Sequence, residues 1–168
     1  MMEFIKNSAF FGAMISLIAY EIGLILKKNL PAVAAGIFSG TLAGLCSVLL
    51  MAKLFGFDHQ EYVTMLPKSI TTAIGMGVSE ELGGIVTITV AVIIITGVLG
   101  NMIAEVVYKV AKIEEPIAKG LGLGTSAHAI GTAKAMELGP VEGAMSSLAI
   151  AVAGLLTVVG ASVFAGMM

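Results

Sequence analysis

The chain has no arginine and no tryptophan, a single cysteine, and only 12% charged residues over its 168 positions. Each scarcity excludes something. Nine lysines, spread along the chain against eleven acidic residues, make no basic patch able to neutralise a phosphate backbone, so no nucleic acid is expected as a partner. Cys46 is alone and cannot close an intrachain disulfide, and with two distant histidines it supplies no metal-ligand spacing. Neither a metal nor any other cofactor is expected. The glycines of Gly120-x-Gly122-x-Gly124 lack the preceding strand and the completed fingerprint of a dinucleotide site, and no base stands beside a nucleophile. The chain is therefore not read as an enzyme.

What is abundant is apolar surface. Hydrophobic residues make up 58% of the chain, against roughly 45–50% in soluble domains. They run in four stretches, Ser8 to Leu26, Pro31 to Ala52, Ile85 to Ala104 and Gly143 to Met168, each near the roughly 20 residues needed to cross a bilayer. The last three carry no charge, and the first has Glu21 close to its end, where it can reach the interface. The first stretch, with Lys6 ahead of it, resembles a signal peptide. No small-x-small cleavage site follows and Lys27 and Lys28 precede another span, so it is expected to remain.

In the second span Gly36, Gly40 and Gly44 fall at intervals of four, a small-residue stripe against which another helix can approach closely. Two segments between the spans, Pro67 to Gly84 and Gly120 to Glu142, are too polar to face lipid and too apolar for ordinary loops. Shifted by 56 positions, they align Ala73-Ile74-Gly75 with Ala129-Ile130-Gly131 and Glu81-Leu82-Gly83 with Glu137-Leu138-Gly139. The third span then falls on the fourth. The unit is a broken polar segment followed by a hydrophobic helix. If each segment enters and leaves on one side, successive units cross in opposite senses, the inverted-repeat plan of many secondary transporters. The expected fold is an all-α polytopic membrane bundle, one transmembrane domain over residues 1–168, with four full spans and two broken or re-entrant segments.

With both segments re-entrant, Lys27, Lys28, Lys109, Lys112 and Lys119 share one face and Lys6 and Lys53 the other. The richer face is expected to be cytoplasmic, with the N-terminus outside. Were the first segment to cross fully, the assignment would reverse.

Non-helical backbone at membrane depth requires protein or a water-filled cavity around it. Two facing broken segments would make such a cavity, and half-helix N-termini would give it a place for a carboxylate or another small anion. Ser69, Thr71, Thr72, Thr125 and Ser126 would add hydroxyl groups there. Thr125, His128 and Thr132 would share one helical face. His128 could bind an anion when protonated and couple transport to protons, or could be a neutral interhelical hydrogen-bonding group. Lys68 could attract the anion or snorkel to the interface. Lys134 could likewise attract the anion, with Glu81 and Glu137 neutralising the two lysines or carrying a proton, or Lys134 with Glu137, three apart, could be a plain ion pair. His59, beside Asp58 and Glu61, is read as a solvated loop residue.

The run Gly124-Thr125-Ser126-Ala127-His128-Ala129-Ile130-Gly131-Thr132-Ala133, together with Pro67-Lys68-Ser69-Ile70-Thr71-Thr72 and Ser79-Glu80-Glu81-Leu82-Gly83-Gly84, resembles the signature of the LrgB/CidB family. The resemblance covers most of the chain from Leu30 onward. It implies a multi-pass protein of the bacterial cytoplasmic membrane that works with a small holin-like LrgA/CidA partner; a homo-oligomer is also expected. Two functions are implied. One is carriage of small monocarboxylates such as pyruvate or glycolate, as a carrier or channel component. The other is antiholin-like regulation of murein hydrolase export and autolysis. In one respect the chain departs from the family, which usually has two more spans between the first helix and the one beginning near Leu30, including a Pro-Ala-Thr segment.

Overall fold

The computed structural model describes residues 30–168, and Ala35–Met168 pack as one unit. Among the described residues every regular element is helical: α1 (Leu30–Phe55), α2 (His59–Met65), α3 (Thr72–Glu81), α4 (Val86–Val110), α5 (Pro116–Leu138) and α6 (Pro140–Ala165). Three of them, α1, α4 and α6, are long and apolar enough to cross a membrane, with 26, 25 and 26 residues. At 1.5 Å per residue, about 38 Å of helix exceeds a hydrocarbon core of about 30 Å. The expected spans from Pro31, Ile85 and Gly143 fall on these helices, and the Ser8 to Leu26 stretch lies outside the described residues.

α4 shows why lipid decides the local structure. Its first half, Val86-Thr87-Ile88-Thr89-Val90-Ala91-Val92-Ile93-Ile94-Ile95-Thr96, is rich in β-branched residues that favour strands in water. A single span in hydrocarbon must satisfy its backbone internally, and only the helix does so. Met102 and Val106 on α4, like Leu54 on α1 and Val159 on α6, are more than half exposed, as lipid-facing residues should be.

The polar segments begin earlier than their composition suggests. Asp58 caps α2, accepting from the Glu61 amide at 2.8 Å while the Glu61 carboxylate accepts from the Asp58 amide at 3.0 Å. This capping box turns the supposed loop around His59 into the first turn of a helix. Likewise Pro116 starts α5 four residues before Gly120, and Glu142 belongs to the first turn of α6 rather than to the second polar segment.

Each polar segment doubles back on itself. In the first, Gln60 donates to the Gly83 carbonyl at 3.2 Å, and a methyl on Gly84 would stand 3.1 Å from Thr64 Cα. The two ends of the α2–α3 hairpin therefore meet, and Pro67 to Thr71 form its tip. Gly83, at φ +80, makes the tight exit toward α4. In the second, helical geometry breaks at His128 (φ 42, ψ −135). Before the break, Gly120 packs on Glu142 and Met145, and Gly124 on Ser146 and Ala149, so α5 and α6 advance together. After it the sense reverses: Thr132 Oγ1 lies 2.7 Å from Ser146 Oγ, and Met136 packs on Gly143. A β-carbon on Gly131 would lie 2.9 Å from the Leu123 carbonyl oxygen. Eight residues of continuous helix would separate those groups by about 12 Å.

Both hairpins lie against α4 from opposite ends. Near the start of α4, Thr64 Oγ1 accepts from the Ile85 amide at 2.8 Å, and the Thr89 hydroxyl donates to the Thr64 carbonyl at 2.9 Å with Ser79 Oγ 2.7 Å away. Toward its end, Gly100 packs on Ala127, and Tyr108 donates to the Lys119 carbonyl at 2.8 Å. The glycine stripe of α1 faces these hairpins: Gly36 packs on Leu121, Gly40 on Thr125, and a methyl on Gly44 would lie 3.8 Å from Ser69 Oγ.

Candidate functional site

The two tips meet. Ser69 from the first hairpin and Thr125 from the second line one small gap, about 10 Å³, with Thr41 of α1 and Thr157 of α6. That is room for about one water molecule. Their neighbours Lys68 and Ser126 line a second, larger cavity of about 470 Å³ along α4, whose walls include Leu99, Gly100 and Ile103. Lys68 joins the two spaces, its ammonium donating to Ser69 Oγ at 3.0 Å. Residues 58 positions apart in the chain thus line the same groove.

Lys68 is half-buried, and among the described residues no carboxylate forms a salt bridge with it. A cation held beside an apolar wall is chemically suited to a monoanion with a short carbon skeleton. The hydroxyls contribute less charge stabilisation than their number suggests. Thr125 donates to the Leu121 carbonyl at 2.8 Å and Ser126 to the Gly122 carbonyl at 2.6 Å, so each must rotate to donate to a ligand.

The other expected residues are distributed around these tips. Thr71 is the N-cap of α3 without a side-chain cap bond, and Thr72 is its first residue. Both therefore stand where the α3 amides are unpaired, at the tip of the first hairpin. His128 is buried at the tip of the second, with Nε2 2.8 Å from the Ile93 carbonyl. A carbonyl only accepts, so that nitrogen carries the proton. Because the chain turns at His128, Thr125 and Thr132 lie on different arms and not on one helical face. Thr132 donates to the His128 carbonyl at 3.0 Å.

The charged residues lie toward the hairpin ends. Glu81 is exposed at the last turn of α3. Lys134 reaches Glu105 of α4 at 2.7 Å and Glu137 at 3.2 Å. The ion pair expected within α5 is therefore one side of a bridge to α4.

Residue spacing did not single out Thr41, Thr89, Ser146 and Thr157, all of them buried. A signal was present, since each is a hydroxyl inside an otherwise apolar span, and such groups face protein more often than lipid. Tyr108, which borders the large cavity, had no comparable signature.

A sequence profile of the LrgB-like family matches residues 13–167. The holin-like protein CidB of Staphylococcus aureus strain N315 is 39% identical over 132 residues, covering 79% of this chain and 58% of that protein. The antiholin-like protein LrgB of Bacillus cereus strain B4264 is 40% identical over 134 residues, covering 80% of this chain and 58% of that protein. The chain therefore spans 58% of the length of these relatives. No solved structure matches it.

Proposed function

Because this chain belongs to the LrgB-like family of membrane proteins, we propose that it is a carrier or channel component for small monocarboxylates such as pyruvate or glycolate. The observation that carries the reading is that Lys68 and Ser126, from different hairpins, line one cavity. Lys68 holds the carboxylate, the apolar wall along α4 accepts the carbon skeleton, and Ser69, Thr125 and Ser126 furnish rotatable hydroxyls beside it, with Thr71 and Thr72 at the start of α3 completing the first tip.

Internal symmetry supports the same reading. The first residues of α1 and α4 are 56 positions apart, and so are the start of α3 at Thr72 and the break at His128. Ser69 and Thr125, which face the same gap, are separated by the same interval. We read this as an inverted repeat whose re-entrant hairpins enter from opposite membrane faces, with the site at their tips. His128 and Thr132 fix the second tip; Lys134, with Glu105 and Glu137, steadies its outer end. Glu81 occupies the corresponding outer end of the first. The setting we assign is a bacterial cytoplasmic membrane.

The relatives' names favour a second reading, in which the chain is an antiholin-like regulatory subunit acting with a small holin-like LrgA/CidA-type partner on murein hydrolase export and autolysis. Self-association as a homo-oligomer fits either reading. Uptake of labelled pyruvate and glycolate into vesicles containing the chain, with and without that partner, separates them. We expect saturable uptake that Lys68→Met abolishes. No uptake in either arm would remove the carrier reading and leave the regulatory one.

A further inference from the structure

Beside the cavity that Lys68 lines stands a second hollow, of about 410 Å³, at the junction of α4 and α5. Tyr108 and Ile113 line both spaces, so they form the boundary between them. The boundary is held in place. Tyr108 donates through its hydroxyl to the Lys119 carbonyl at 2.8 Å, and its own carbonyl accepts from the Ile113 amide at 2.9 Å.

The outer hollow differs in charge from the inner one. Its lining includes Lys109, Lys112 and Lys119 with Glu105 and Glu114. Glu105 pairs with Lys134 at 2.7 Å and also lies within reach of Lys109, so the lining sets three lysines against two carboxylates, one of which already has a partner outside it. Lys109 also suits the C-terminal turn of α4 on dipole grounds. Lys112 and Lys119 lie beyond that helix; a lysine bias of the cytoplasmic face asks only that they stand on this side, not that they line one hollow with Lys109. Lys112 has φ 54, a backbone conformation in which glycine would be easier, yet a cation stands there.

Resting on the carrier reading, we propose that this lysine-lined hollow is the antechamber through which a small carboxylate reaches Lys68, and that Tyr108 with Ile113 is the constriction between the two. Three cations beside low-dielectric walls concentrate monoanions and repel cations. The inner cavity then selects for an apolar skeleton, and Lys68 receives the charge. Charge selection and shape selection are thus separated along one path.

Accessibility of a cysteine at the inner end tests the path without requiring transport. The full chain carrying Cys46→Ser and Ser126→Cys, in vesicles of zwitterionic phosphatidylcholine, is labelled with an anionic sulfonatoethyl and a cationic trimethylammonium-ethyl thiosulfonate. We expect the anionic reagent to react at least about threefold faster at low salt, the preference falling toward unity at high salt. Replacing Lys109, Lys112 and Lys119 together by glutamine should remove most of the preference while Lys68 remains. Tyr108→Ala, or Ile113→Ala should the first not fold, should speed both reagents about tenfold and leave their ratio unchanged. A preference indifferent to the three glutamines, or rates indifferent to both alanine variants, would overturn the proposal. The labelling pattern without pyruvate uptake would remove the carrier reading alone; uptake without the charge preference would remove the antechamber alone.

Discussion

His128 donates from Nε2 to the main-chain carbonyl of Ile93 at 2.8 Å, fixing the tip of the second hairpin to α4. It does so at φ 42, where side chains are disfavoured. The imidazole is therefore retained at a position whose backbone would prefer glycine. Strain of this kind persists where surrounding structure over-determines it.

Two substitutions separate side chain from backbone at this point. His128→Ala loses the hydrogen bond and keeps the unfavourable φ; His128→Gly loses the bond and relieves the backbone. The glycine variant should be the more stable of the two by about 1–2 kcal/mol, read from thermal unfolding in detergent. Equal stability would mean that the bend costs nothing.

The buried hydroxyl cluster of Thr64, Ser79 and Thr89 makes a second test. Thr89→Val removes the hydroxyl that bonds the Thr64 carbonyl and adjoins Ser79, leaving buried groups unsatisfied at a cost of about 1–3 kcal/mol. Thr87→Val, on the exposed face of the same helix, should be neutral within about 0.5 kcal/mol. Equal losses from the two would show that the cluster contributes nothing specific.

Glycines should fall into two classes. A methyl on Gly124 would lie 2.7 Å from Ala149 Cβ and 3.0 Å from Ser146 Cα, contacts that only a backbone shift relieves. Gly124→Ala should therefore destabilise by about 1–3 kcal/mol. At Gly77, within α3, nothing lies within 4 Å, so Gly77→Ala should gain up to about 1 kcal/mol from helix propensity. Chemical denaturation in mixed micelles gives both values.

On the carrier reading, Lys68→Met should abolish pyruvate uptake, whereas Ser126→Ala, whose hydroxyl already donates to the Gly122 carbonyl, should raise the KM by less than about tenfold. A larger effect from Ser126 than from Lys68 would move the anion site toward the second hairpin.

The spans were legible because lipid leaves so few options: length and absence of charge suffice to find α1, α4 and α6. The breaks were legible because glycine and hydroxyl residues interrupt the pattern at Pro67 to Thr72 and around His128. Direction was not. That α5 runs first with α6 and then against it depends on Gly120, Gly124 and Gly131 packing on particular partners, and a list of glycines does not name partners. The start of α2 was misread from the polarity of Asp58 to Glu61, although their spacing is a helix-start signal. Tyr108 was missed because its position between two cavities arises only when the α4–α5 junction folds over it.

The meeting of two hairpin tips has an electrical consequence on the carrier reading. Where full helices cross, the membrane voltage falls across their whole length. Were water to reach the tips from both faces, the insulating layer would be only the few residues around Ser69 and Thr125, and the field would steepen there. A carboxylate passing that point would exchange most of the roughly 2.3 kcal/mol per 100 mV within one short step. The sign of the membrane potential would then bear directly on which way the anion moves.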